Sequence, residues 1–421
     1  MSSLAPPSDP ASTTPTHSES ASASSGARTV VPAAGGEPRR LAALDITRLV
    51  AALAVVLFHW TAFHHTYWDS TQREQAAGDV WPGLSVVTSW GNFGVQLFFL
   101  ISGFVILLSC WGRSPARFIA SRVGRLYPAY LVAVLAAALL QFVIWPQMGT
   151  NRETWEILPN LTMFQGGMPG VGHLDAVYWT LWVELKFYLL MTVFCWLGIT
   201  ARRVLILAVA WPVAGQIVQV VGPMLGVPDW LRDLLQQVMF PEYAALFAGG
   251  MVLYLVYREG HSLARWGAIG LNAVIAAATS ATTAMRETPE LTGHHHPWWG
   301  YWIVVGALFA VVAMVTLTPC ARWRIPGASI AGNLTYPVYL LHQLWGWWII
   351  SLLSEHLPAP VVLLIALGAV VVAAALVHRW VERSWGPRLR SGTLKLLEPR
   401  RRLGPASMAD GAVTSAGTSA E

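Results

Sequence analysis

Arg48 and His59 lie in one apolar stretch, LDITRLVAALAVVLFHWTAF (Leu44 to Phe63). Ionisable side chains cost a few kcal/mol or more at bilayer depth, so their presence there is a functional hypothesis in itself. Helical spacing brings the two to nearly the same face, about 16 Å apart along the axis. Imidazole titrates near neutrality and serves as a general base, typically contributing about 10²–10⁴-fold to a step that moves a proton. It also serves as a nucleophile that carries a covalent intermediate. A guanidinium fork matches phosphate oxygens bidentately. The structural alternative is an arginine that anchors the helix end and a histidine packed on a neighbouring helix.

Other residues extend this pair. Glu184 lies in VYWTLWVELKFYLL, His342 in LTYPVYLLHQ, and Arg122 and Arg125 in FIASRVGRLYPAY. A carboxylate at the second nitrogen of His59 would fix its tautomer and stabilise the imidazolium, and Glu184 is the candidate. His342 is a second base, an acceptor-binding donor or a structural hydrogen bond. Arg122 and Arg125 suit a polyanionic ligand, or else anchor a loop on the cytoplasmic side. Lys186 is placed about 200° around the helix from Glu184, so the two are not expected to pair.

The elements that must position these residues are membrane spans. The chain is 55% hydrophobic and 12% charged, which favours a membrane protein over a soluble globule. Apolar runs at about 44–63, 86–109, 127–146, 177–199, 204–222, 240–257, 267–285, 299–317, 328–350 and 360–380 are long enough to cross a hydrocarbon core of about 30 Å. The fold expected is all-α and polytopic, with about ten transmembrane helices. Residues 1–40, rich in Ser, Ala, Pro and Thr, are expected as a disordered tail without the features of a signal peptide. Residues 41–390 form the membrane domain, and 391–421 a cytoplasmic, largely disordered tail.

Arginines set the orientation. With both termini cytoplasmic, the inside segments carry Arg113, Arg117, Arg122, Arg125, Arg202, Arg203, Arg258, Arg265, Arg322 and Arg324, besides both tails. The outside loops hold Arg73, Arg152, Arg232 and Arg286. This asymmetry follows the positive-inside rule and accounts for the net charge of +5 without a nucleic-acid partner. On this topology His59, Glu184 and His342 reach similar depths in the outer half of the bilayer, and Arg48 starts at the inner surface.

Other polar features carry less chemistry. Cys110, Cys195 and Cys320 have neither metal-ligand spacing nor a disulfide framework. His294, His295 and His296 read as a solvated outside loop, and no metal site is expected. His64 and His65 follow the first span at the interface. Many of the 22 tryptophans lie near span ends, as in an aromatic belt; Trp179 and Trp182 could also shape an acceptor pocket near Glu184. Gly91, Gly94 and the Ser102-Gly103 pair favour close helix packing or a ligand path.

Taken in order, these segments resemble acyltransferase family 3, membrane proteins that move acyl groups from acyl-coenzyme A onto carbohydrates and other hydroxyl acceptors. The resemblance runs from about Leu41 to Arg390. It rests on Arg48 and His59 with ten residues between them, on Phe98 to Phe104, and on Arg122, Arg125 and Pro128. Trp179, Glu184, Phe187 and Tyr188, then Tyr336, Tyr339 and His342, complete the series. Thr180 replaces a common serine, and Glu382 and Pro387 match the family's closing segment loosely.

The resemblance implies a multi-pass inner-membrane O-acyltransferase with acetyl- or another short acyl-CoA as donor. The acceptor would be a hydroxyl of a glycan, glycolipid or glycosylated natural product. His59 would be general base or acyl carrier, with Glu184 and His342 in the catalytic group and Arg48, Arg122 and Arg125 at the donor phosphates. The rival reading is a transporter whose buried ionisable residues form a proton or substrate path, although no internal repeat is visible.

Overall fold

The computed structural model describes residues 41–69, 75–148 and 151–398. The tail expected over 1–40, and the part of the C-terminal tail from 399 onward, lie outside them. Each expected span is a helix. They are α1 (Ala42–Ala62), α2 (Pro82–Cys110), α3 (Pro115–Ile144), α4 (Ala176–Leu197), α5 (Ala201–Val221), α6 (Asp229–Glu259), α7 (Leu263–Thr292), α8 (Trp298–Leu317), α9 (Ala328–Leu353) and α10 (Ala359–Leu397). Among the described residues there is no strand, and nine of the helices are long and apolar enough to cross a membrane. The chain is an all-α, multi-pass membrane protein.

The exception, α9, has 26 residues but carries Thr335, Tyr336, Tyr339, His342 and Gln343, all buried. Its polar residues face other helices rather than lipid, which lowers its mean hydropathy without exposing it. It packs against α1, α3 and α10.

The centre of the bundle is α6. Every residue from Ala244 to Val256 is buried, as expected of a helix apolar on all sides. It packs on α2, α5, α7 and α8. Contact with α2 is backbone to backbone: a Cβ on Gly103 would overlap the Phe247 carbonyl, and one on Gly250 the Leu100 carbonyl. Gly91 and Gly94 make the equivalent approach to the Ala54 and Ala51 carbonyls of α1. The glycines of α2 therefore act in close packing. Gly103→Val should destabilise the protein by about 1–3 kcal/mol, the usual cost of overpacking. The check is the melting temperature in detergent; no shift would separate α2 from α6.

Two boundaries differ from the sequence expectation. Arg122 and Arg125 were expected in a loop before the third span, yet they lie inside α3, which starts at Pro115. Ser114 caps it by accepting from the Arg117 N–H at 3.3 Å, and Pro115 occupies the first turn, where its missing N–H costs nothing. Hydropathy marks where the membrane begins, not where a helix does. At the other end, α10 continues as the helix Arg383–Leu397, which packs back along α3 where Gly386 meets Gly124. The described start of the expected C-terminal tail is thus helical.

Candidate active site

The helix of α1 changes pitch at His59. Phe58–Ala62 forms a π-helical turn, in which the Phe63 N–H reaches back to the Phe58 carbonyl at 2.8 Å. Such turns alter which side a side chain faces and release backbone groups from the regular ladder. The His59 carbonyl accepts from the Trp347 indole at 3.0 Å, while the His342 carbonyl accepts from the Trp60 indole at 3.0 Å. Each histidine of α1 and α9 is thus held by a tryptophan of the opposite helix. Gly346 makes room for this, since a Cβ there would overlap the Trp60 ring.

The two imidazoles touch: His342 Nε2 lies 3.1 Å from His59 Nδ1, with ring centroids 5.0 Å apart. Carbonyl oxygens can only accept, which assigns the hydrogens. Val55 O is 2.9 Å from His59 Nδ1, and Tyr339 O is 2.8 Å from His342 Nδ1. Both Nδ1 atoms therefore carry hydrogen, and His342 Nε2 accepts from His59. That leaves His59 Nε2 with its lone pair. His342 is fully buried, whereas His59 is half-buried. Of the two residues, His59 is the one that keeps some exposed surface.

One turn of α9 away, Tyr339 joins this pair to a polar cavity. Its ring is 5.6 Å from that of His342, and its hydroxyl is 2.9 Å from Thr180 Oγ1 of α4. The cavity, about 60 Å³ and large enough for a few waters, is lined from four helices. Arg48 comes from α1, Phe98 and Ser102 from α2, Thr180 and Glu184 from α4, and Tyr336 and Tyr339 from α9. Ser102 donates to Glu184 Oε1 at 3.0 Å. Arg48 lies close enough to Arg125, Glu184 and Asp45 for charge interaction. Tyr188, one turn beyond Glu184, neighbours Glu184, Arg122 and Arg48, and the Arg122 guanidinium sits 5.9 Å from its ring centroid.

The structure therefore brings His59 to His342, and Arg48 to Glu184, with Arg122 and Arg125 beside the second pair. Among the described residues, the hydrogen bonds at the His59 ring are with Val55 and His342, while Glu184 meets Ser102 and Tyr188. Glu184 lines the polar cavity with Arg48, and His59 and His342 are not among the residues lining it. Ser102, Tyr339, Trp60 and Trp347 were not singled out as site residues. Ser102 was read for its glycine neighbour, and the indoles as part of the aromatic belt.

An aromatic group covers the His59 end. Trp347 packs against Phe63, His65 and Tyr67, with centroids 5.8, 5.3 and 5.2 Å away. His65 was expected at the interface but is buried, and burial pushes its pKa down to about 3, so it stays neutral. The histidine triplet also has structural contacts: His294 Nε2 lies 3.0 Å from Ser85 Oγ and His296 Nε2 2.7 Å from Ser89 Oγ. Lys186 points away from Glu184, as expected, over the rings of Phe240 and Trp182 at 5.1 and 5.6 Å. Among the described residues no group of three or more His, Cys, Asp or Glu converges as metal ligands do.

Asp175 caps the start of α4 by accepting from the Val177 N–H at 3.2 Å. It is buried, and burial raises its carboxyl pKa to about 7. Between the ordinary carboxylate range and pH 7 the folded chain keeps a proton that the unfolded chain releases. Stability should therefore fall as pH rises through that window, by on the order of 4 kcal/mol in full. Asp175→Asn, which keeps the capping oxygen, should flatten the melting temperature between pH 5 and 8. Equal slopes in both proteins would remove Asp175 as the cause.

Residues 41–379 match the family described as "Acyltransferase domain". The chain is 30% identical to the acyltransferase MdmB of Streptomyces mycarofaciens over 155 residues, 36% of this chain and 38% of that protein. It is 25% identical to Nodulation protein 10 of Rhizobium leguminosarum bv. viciae over 333 residues, 71% of this chain and 81% of that protein. No solved structure matches. The family match spans the ten helices up to the turn that ends the membrane portion of α10, and so takes in every residue of the cavity and of the histidine pair: the chain belongs to acyltransferase family 3.

Proposed function

We propose that this protein is an integral-membrane O-acyltransferase that moves an acetyl or other short acyl group from acyl-CoA to a hydroxyl of a carbohydrate, glycolipid or glycosylated natural product. The observation that carries this reading is the His59 ring, whose Nε2 lone pair is left free by the hydrogen bonds to Val55 and His342. The partial match to MdmB supports acyl transfer. The same lone pair serves two routes. In direct transfer, Nε2 takes the acceptor's hydroxyl proton as the oxygen attacks the thioester carbonyl; the C–S bond breaks and the thiolate takes the proton from the imidazolium. In a relay, Nε2 attacks the thioester and the thiolate leaves; the alcohol oxygen then attacks the acyl-imidazole, the N–acyl bond breaks, and the freed Nε2 takes the alcohol's proton.

His342 acts as a positioning residue that holds the His59 ring in the correct tautomer. Arg48, Arg122 and Arg125 meet the donor phosphates from the cytoplasmic face of the inner membrane. Glu184 and Ser102 line the way between those arginines and the imidazole.

The test is comparative mass spectrometry of glycans, lipids and secreted metabolites from cells producing the wild type or His59→Ala. The expected result is loss of one O-acyl mass increment in the variant. Identical profiles, with both proteins present in the membrane, would overturn the reading. Quenching the wild type with acyl-CoA alone and digesting it distinguishes the routes, since only the relay leaves an acyl mass on the His59 peptide.

A further inference from the structure

A second cavity, a groove of about 380 Å³, opens between the first turn of α1 and the segment leading into α9. Asp45 forms one side; Trp323 and Arg324 form the other, with Ser329 at the start of α9. The side chains suit a nucleotide. Trp323 is 58% exposed and offers a ring face for stacking on a base. Arg324 has no acidic partner among the described residues, so its fork is available to a phosphate. The Asp45 carboxylate packs against Gly332, where a Cβ would overlap it.

Position along the helices gives the groove its meaning. Asp45 precedes Arg48 by three residues on α1, about 4.5 Å, and Ser329 precedes Tyr336 by seven on α9, about 10 Å. The groove and the polar cavity are therefore stacked along the same two helices. From Asp45 to His59 is about 21 Å along the axis, the scale of an extended phosphopantetheine arm.

We propose that this groove seats the adenosine 3′-phosphate end of the coenzyme A donor. Adenine stacks on Trp323, Arg324 and Ser329 hold the ribose 3′-phosphate, and the diphosphate continues toward Arg48. This inference rests on the acyl-CoA reading above.

The experiment measures transfer by the purified full-length protein with acetyl-CoA and with its 3′-dephospho form. The wild type should show a KM about tenfold lower for acetyl-CoA. Arg324→Gln should abolish that preference by raising KM for acetyl-CoA alone, with kcat unchanged. Trp323→Ala should raise KM for both donors while keeping the ratio. A preference that survives in Arg324→Gln, or one that the wild type lacks, overturns the groove assignment while leaving acyl-CoA as donor. Failure of the wild type to consume either thioester, while His59-dependent transfer proceeds from another donor, overturns the donor reading and the groove with it.

Discussion

Replacing His59 with alanine should lower acyl transfer by about 10²–10⁴-fold, the usual contribution of a positioned general base. If the ring also carries the acyl group, the loss is larger. The fold should survive, because the His59 side chain is half-buried and its carbonyl, not its ring, meets Trp347. Turnover of labelled acyl-CoA by purified protein is the measurement, read against the melting temperature. His59→Gln tests the tautomer argument, since it offers an amide in place of the lone pair. Activity retained in either variant would move the chemistry to another residue. His342→Gln provides the contrast: its effect should be smaller, because Val55 still holds the Nδ1 hydrogen.

Glu184→Gln should have the second largest effect. Glu184 lines the cavity with Arg48, and Arg125 is also close enough to interact with Arg48. Removing the anion leaves guanidinium groups facing each other in a confined space. Leaving those like charges uncompensated should lower kcat/KM about 10–100-fold, that is by about 1.4–2.7 kcal/mol of transition-state stabilisation. The amide oxygen still accepts from Ser102, so expression and melting temperature should stay near the wild type. Full activity in Glu184→Gln would remove the carboxylate from the mechanism.

Much of this site was legible in the sequence, and the reasons differ by residue. Arg48 and His59 are readable because bilayer depth makes ionisable side chains conspicuous, and one helix fixes their mutual geometry. The spans are readable because length and apolarity are local properties. The contact between His59 and His342 is not local: it depends on α1 packing against α9, and nothing in either segment names its neighbour. Which residues Glu184 meets cannot be read by counting from span ends, which assumes straight helices. Pro337 inside α9 and the π-helical turn at Phe58–Ala62 both depart from that assumption. Trp60 and Trp347 were indistinguishable from interfacial tryptophans until their indoles could be paired with carbonyls. By contrast, the start of α3 was written in Ser114-Pro115, a capping residue followed by a favoured first position, and hydropathy obscured it.

The crossed indoles have a mechanical consequence. Because Trp60 grips α9 and Trp347 grips α1, those two helices are bolted into a single jaw at the histidine pair. Across from that jaw, α4 is tied to α9 where the Tyr339 hydroxyl meets both Thr180 Oγ1 and the Val177 carbonyl, so the same helix that carries His342 also anchors the one that carries Glu184.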